Sequence, residues 1–327
     1  MTSANSLALG NPGQVSLDRE ALTPGVRQGQ LSVDVVVPAY NEERNITSLL
    51  ADVTMQQELP WFKIGRIYVV VDPSTDRTEA LAAEFASRDP RVQLVTKPRR
   101  AGQADSLNWV FRESGADVVV SVDADVRLAD NLVVARVVRP FADDANMGMA
   151  CGRAVPMPFQ STFRVAEHAS YFGWMIEQAM KEQFPDGILS VRGCILALSR
   201  SLYQGLTLPV DLPGNDTYMY LCCVSMGMKF LYVPEGSVFY RLPGVLGDHI
   251  KQGVRLRFAM RGCQQIFGSQ LTRFDRSPGV LLRLIVKRPL DGFLWLFAYG
   301  LGELNYWRLR TNGRPVGGLW QVSDSTK

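Results

Sequence analysis

The sequence predicts an α/β protein: a mostly parallel central sheet covered by helices on both faces. Two observations carry that expectation. From Leu31 onward, short β-branched runs alternate with stretches whose apolar residues recur at helical spacing. The β-branched runs are apolar at successive positions rather than at every second one, as in strands buried on both faces.

The elements follow in order along the chain. "VDVVVP" (33–38) is the first strand and "EERNITSLLADVTMQ" (42–56) the helix after it. "RIYVVVD" (66–72) is the second strand, followed by the helix "RTEALAAEFASR" (77–88). "RVQLVT" (91–96), the helix "QADSLNWVFRES" (103–114) and the strand "DVVVSVD" (117–123) complete the regular half. The second half is less regular, and mixed pairing is expected there. Strands are read at 147–153, 194–199 and 229–235, with helices at 161–183 and 216–227. The first 30 residues, rich in Gly, Pro, Ser and Gln, read as a flexible arm without a secretory signal.

Bulk properties narrow the function classes. A chain of 327 residues, 46% hydrophobic and 20% charged, is long enough for one large domain or a core domain with an appendage. A net charge of +3 gives no argument for nucleic acid, and no such partner is expected. Nine basic residues against one acid between Lys251 and Arg288 still make a local cationic region. Five cysteines without a C-x-x-C pair read as reduced thiols in a cytoplasmic setting. Only two histidines, His168 and His249, argue against a zinc site or a Ser-His-Asp hydrolase.

Parallel sheets hold ligands beyond the carboxyl ends of their strands, and the acidic residues gather there. Strand one runs into Pro38, Tyr40 and Glu42, strand two into Asp72 and Asp76, and strand four into Asp123-Ala124-Asp125. Two aspartates flanking one small residue suit a divalent cation shared with diphosphate oxygens, or else a solvated pair capping the next helix. Asp76 with Glu79 three residues on fits a capping box, which leaves Asp72 for a ligand. Arg99, Arg100 and Gly102 at a helix start suit an anion or a plain exposed loop.

Six stretches, in order, resemble the inverting GT-A glycosyltransferases of family 2: "VVVPAYNEERNI", "VVVDPSTDRT", "AGQADSLN", "VDADV", "GNDTYMYL" and "VRLRFAMRG", spanning about residues 33–262. The resemblance implies a GT-A fold with a Rossmann-like sheet, a catalytic domain at 31–265 and a C-terminal helical segment at 266–327. Residues 31–128 would be the nucleotide-binding half and 129–265 the acceptor-binding half. It also implies a nucleotide-diphosphate sugar as donor, most commonly a UDP-sugar, with Mg2+ or Mn2+. A hexosyl or N-acetylhexosaminyl unit would pass to a hydroxyl or phosphate on a small or lipid-linked acceptor. By resemblance, Pro38, Tyr40, Glu42, Asp72, Arg100, Gly102, Asp123, Arg255 and Arg257 meet the nucleotide. Asp125, with Asp123, meets the metal, Asp216 is the general base, and Asn215 and Phe258 face the acceptor.

The sequence departs from the family pattern at Val71, Pro73, Gln103, Asn215, Val254 and Phe258. A non-catalytic nucleotide-sugar-binding module is therefore the alternative. A sugar nucleotidyltransferase ranks lower, since "PAYNEE" stands where its glycine-rich phosphate loop belongs. His168, Tyr171 and Trp174 read as core or acceptor-pocket wall. Residues 278–307 contain two apolar runs broken by "KRP" and Asp291, each too short to span a bilayer. They fit helices lying on the inner membrane face or a helix pair packed on the catalytic domain.

Overall fold

The computed structural model describes residues 29–159, 163–271 and 277–311. Most of the expected arm, residues 1–28, and the end of the tail, 312–327, lie outside the described residues. The first half is β1 (Leu31–Ala39), α1 (Ile46–Thr54), β2 (Phe62–Val71), α2 (Thr78–Arg88), β3 (Val92–Thr96), α3 (Gly102–Glu113) and β4 (Val118–Val122). Next come β5 (Val126–Leu128), α4 (Val133–Asp143), β6 (Met147–Pro156), α5 (Val165–Gln183), β7 (Ile195–Ser199) and the short α6 (Arg200–Tyr203). The chain continues through α7 (Asn215–Ser225), β8 (Lys229–Tyr240), α8 (Leu246–Leu271), α9 (Pro278–Lys287) and α10 (Pro289–Thr311).

Among the described residues the strands form one sheet in the order β3-β2-β1-β4-β7-β6-β8-β5. β1 to β4 are parallel, as the alternating pattern predicts. β7 then runs antiparallel between β4 and β6, and β5 antiparallel on β8, which gives the mixed pairing expected of the second half. The valine runs serve both faces. Val33, Val35 and Val37 meet α1 and α4 residues such as Leu50 and Val134 on one face. Val36, Val70 and Val119 meet Leu107, Phe111 and Met219 on the other. Burying each such side chain contributes about 1.5–3 kcal/mol, so a polar residue at any of them would be costly.

β5 and α4 are among the elements without a counterpart in the sequence reading. β5 has only three residues. α4, "VVARVVRPFAD", carries paired β-branched residues and Pro140, both poor helix signals. Tertiary burial overrides them: Val133, Val134, Val137, Val138 and Phe141 are all buried in the sheet-facing core.

Candidate active site

A cleft of about 1030 Å³ opens at the carboxyl ends of β1, β2 and β4. Its walls include Pro38, Tyr40, Glu42, Asp72, Arg100, Gly102, Asp123, Asp125, Asn215, Asp216, Arg255 and Arg257, twelve of the thirteen residues read from the sequence. Phe258 is the one not brought to the wall. Its ring packs edge-on against Tyr306, 4.9 Å between centroids, so α10 takes the face expected to meet an acceptor.

The strand-end loops are tied to one another. Asn41 sits at φ 52°, and its side-chain oxygen accepts from Thr75 N at 2.8 Å. Glu42 N donates to Thr78 Oγ1 at 2.6 Å, and Glu43 N to Asp76 Oδ2 at 3.1 Å. Asp76 also accepts from Thr78 N at 3.0 Å, so it joins the two loops while starting α2. The residue just before the helix is Arg77, without a side-chain cap bond, and Asp76 supplies the oxygen that meets the first-turn amide. Glu42 is buried and accepts from Asn45 Nδ2 at 2.9 Å. The Arg100 guanidinium lies 3.9 Å from the Tyr40 ring centroid, a cation–π contact that holds both on the cleft rim.

Asp72 is buried, and its Oδ2 accepts from Gly102 N at 2.7 Å and Ala101 N at 3.2 Å. Gly102, at φ 83°, is the residue suited to that turn. The amides expected to meet an anion thus hold the Asp72 carboxylate. Lys97 Nζ lies 3.4 Å from Asp72 Oδ1, and that oxygen has no hydrogen-bond partner. A buried oxygen left so is an acceptor waiting for a donor.

At the end of β4, Asp123 N donates to Cys194 O at 3.1 Å, and Gln103 Nε2 donates to Asp123 Oδ1 at 2.9 Å. Burial first, then the charges of Asp125 and Asp216, push the Asp123 carboxyl up to about 8; Arg255 and Gln103 offset this only in part. Asp216 stands in the first turn of α7 and accepts from Thr217 N at 2.8 Å. It is not the cap: Gly214 is, at φ 88°, where a Cβ would lie 2.7 Å from Ala259 Cβ. Asn215 Nδ2 reaches Gln103 Oε1 at 3.3 Å, joining α7 to α3 across the cleft.

Among the described residues, no group of three or more His, Cys, Asp or Glu side chains is arranged to hold a metal ion unaided. Two neighbouring hard-oxygen donors of like charge fit a divalent cation that takes its other ligands from diphosphate and water. Asp123 and Asp125 would supply such donors; the Asp123 carboxyl is raised first by burial and then by the charges of Asp125 and Asp216, which a bound cation would offset.

The other end of the cleft is built by α5, α8 and α10, and sequence reading missed most of it. Arg192 donates to Glu177 at 2.5 Å and lies 4.9 Å from the Tyr240 ring centroid. Ser170 Oγ and His249 Nδ1 are 2.6 Å apart, and burial, then Arg257, lowers the His249 pKa. Trp174 lines this wall and donates to Ala154 O at 2.8 Å. Trp295 and Tyr299 come from α10. Arg257 is committed here: its Nε donates to Glu303 at 2.6 Å, and its guanidinium stacks 4.6 Å from the Tyr299 ring centroid. His168 is outside the wall, 2.7 Å from Asp291. Gln103, named above only as a departure from the family pattern, and Lys97, passed over, are polar residues flanking the glycine turn. The Glu177–Arg192 pair left no local signal.

A family model described as glycosyl transferase family 2 matches residues 34–206, more than half of the chain. The chain belongs to this family. Family 2 relatives include an N-acetylglucosaminyltransferase of Sinorhizobium fredii, 26% identical over 239 residues, or 68% of this chain and 56% of that protein. Another, from Mesorhizobium japonicum, is 28% identical over 238 residues, 68% of this chain and 54% of that protein. The chain spans about half the length of the curated relatives it matches. Among solved structures, a Pyrobaculum calidifontis mannosyltransferase in complex with GDP-Man and Mn2+ superposes with a TM-score of 0.57 at 19% identity. That match covers 90% of this chain and 81% of the other. A mycobacterial protein superposes at 0.53 with 20% identity, covering 79% and 80%. These likenesses establish the GT-A fold, with its central sheet, flanking helices and C-terminal helices.

Proposed function

We propose that this family 2 protein is a cation-dependent inverting glycosyltransferase. It moves a sugar from a nucleotide-diphosphate sugar to a hydroxyl or phosphate acceptor. One observation carries the reading: Asp72, Asp123, Asp125 and Asp216, from separate parts of the chain, line one cleft, where burial and then the charges of Asp125 and Asp216 push the Asp123 carboxyl up to about 8. Like charges gathered at a concave site favour a ligand that neutralises them over a purely structural role.

Each residue has a task in this reading. Asp72 Oδ1, buried near Lys97 Nζ but without a hydrogen bond of its own, accepts an N–H from the nucleotide base. Pro38, Tyr40 and Glu42 shape the base and ribose pocket, with Arg100 and Gly102 at its rim. Asp123 and Asp125 would hold Mg2+ or Mn2+, which neutralises charge on the departing diphosphate. Arg255, exposed beside Asp123, meets diphosphate oxygens. Asp216 takes the proton of the acceptor hydroxyl as its oxygen bonds to the anomeric carbon. The carbon–diphosphate bond breaks on the opposite face, so the configuration inverts. The names of the relatives favour an N-acetylhexosaminyl unit, and UDP is the first nucleotide to try.

Asp216→Asn keeps size and shape but removes the base. Turnover of UDP-N-acetylglucosamine and other nucleotide sugars is expected to fall at least ~100-fold, with nucleotide-induced thermal shift retained. Unchanged turnover would remove Asp216 from the reaction. A wild-type protein that binds nucleotide but never turns over would favour the binding module.

A further inference from the structure

α9 and α10 each have two faces. Inward, Val280, Leu284, Leu294 and Ala298 pack against α5 around Phe172 and Ala169. Outward, Leu282 and Val286 of α9 and Leu290, Phe293, Phe297 and Leu304 of α10 stand exposed, Val286 by 73% and Leu304 by 69%. The outward residues of α10, with Leu296 and Trp307 beside them, fall within roughly a third of the helix circumference at ~100° per residue. An apolar patch this continuous marks a contact site.

Charge identifies the occupant. The acids of these two helices are Asp291 and Glu303, and both are engaged. Asp291 is held by Arg288 at 2.9 Å and faces His168, while Glu303 accepts from Arg257. The exposed charges that remain, Arg283, Lys287, Arg308 and Arg310, are all positive. Aromatic and aliphatic side chains fringed by cations, on helices too polar to cross a membrane, match an anionic lipid surface. We propose that the outer face of α9 and α10 lies on an anionic bilayer, its apolar side chains at the headgroup–acyl boundary and its four cations among the headgroups. The opposite side of α10 lines the cleft with Trp295, Ala298 and Gly302. Docking therefore sets that end of the cleft beside the membrane, where a lipid-linked acceptor would enter. The acceptor's position rests on the transfer reading; vesicle binding does not.

The test is co-sedimentation of the full chain with phosphatidylcholine vesicles, with and without phosphatidylglycerol, plus quenching by brominated lipid. The wild type is expected to pellet with the mixed vesicles and at least ~10-fold less with phosphatidylcholine alone. Brominated lipid should quench the wild type more than Trp307→Phe. Phe293→Glu with Leu304→Glu should lose vesicle binding while keeping the wild-type melting temperature and Mn2+–UDP thermal shift. Three results would each overturn the proposal: wild-type protein that stays in the supernatant with both vesicles, a double variant that pellets equally, or a lipid-free dimer that the double variant dissolves into monomers.

Discussion

The two ends of the cleft treat charge in opposite ways. At the helical end the two acids that line the cleft each have a cation beside them: Glu177 with Arg192, and Glu303 with Arg257. At the strand end Asp123, Asp125 and Asp216 act on one another, and burial with these like charges pushes the Asp123 carboxyl up to about 8. An acid matched by a neighbouring cation is settled by folding alone. An acid repelled by its neighbours costs stability unless a ligand completes the site. The contrast separates scaffold from chemistry within one cavity.

The sharpest way to break that contrast is at Asp125. Asp125→Ala should weaken Mn2+-dependent UDP or GDP binding at least ~10-fold in a calorimeter, since removing even an outer-shell partner costs that much. The matching change at the helical end, Glu303→Gln, should leave that binding unchanged.

A pH titration gives the next largest effect. A cation needs the Asp123 carboxylate, which carries a proton below about pH 8. Cation affinity should therefore rise with pH, by up to ~10-fold per unit, and level off above about 8. The stability of the cation-free protein has the opposite sign. A carboxyl raised on folding binds more protons in the native state, so stability is greatest below its unfolded value and declines as pH climbs toward 8. Asp123→Asn should flatten both slopes, as read by melting temperature against pH. A slope unchanged in that variant would assign the titration to another group.

The smallest effect is at the helical end. Losing the half-buried Arg257–Glu303 pair in Glu303→Gln should cost about 1 kcal/mol or less in denaturant unfolding, and less still at high salt. A larger loss would mean that α10 depends on this pair more than on the packing of Leu294 and Ala298.

The sequence was most legible where structure is local. The βα units from β1 to β4 declare themselves through runs of valine, and their acidic ends follow from strand direction. α4 was hidden because Val133, Val134, Val137 and Val138 favour strands when taken alone, and only the core they fill makes them helical. Phe258 and Arg257 occupy motif positions, yet what they touch is decided by Tyr306 and Glu303, more than 40 residues away. Glu177 and Arg192 meet only because the turn at Ile188–Ser190 packs back on α5, which no local pattern announces. Asp76 was read as a capping residue, and its second oxygen, bonded to Glu43 N, was invisible for the same reason.

The central claim is that Asp123 and Asp125 complete a cation site only together with a nucleotide diphosphate. Calorimetric titration of Mn2+ into the protein, with and without UDP or GDP, tests it most directly. One ion per chain should bind, far more tightly with nucleotide present, and that uptake should be lost in Asp125→Ala. Equal uptake by the wild type and Asp125→Ala, or tight binding indifferent to nucleotide, would contradict it.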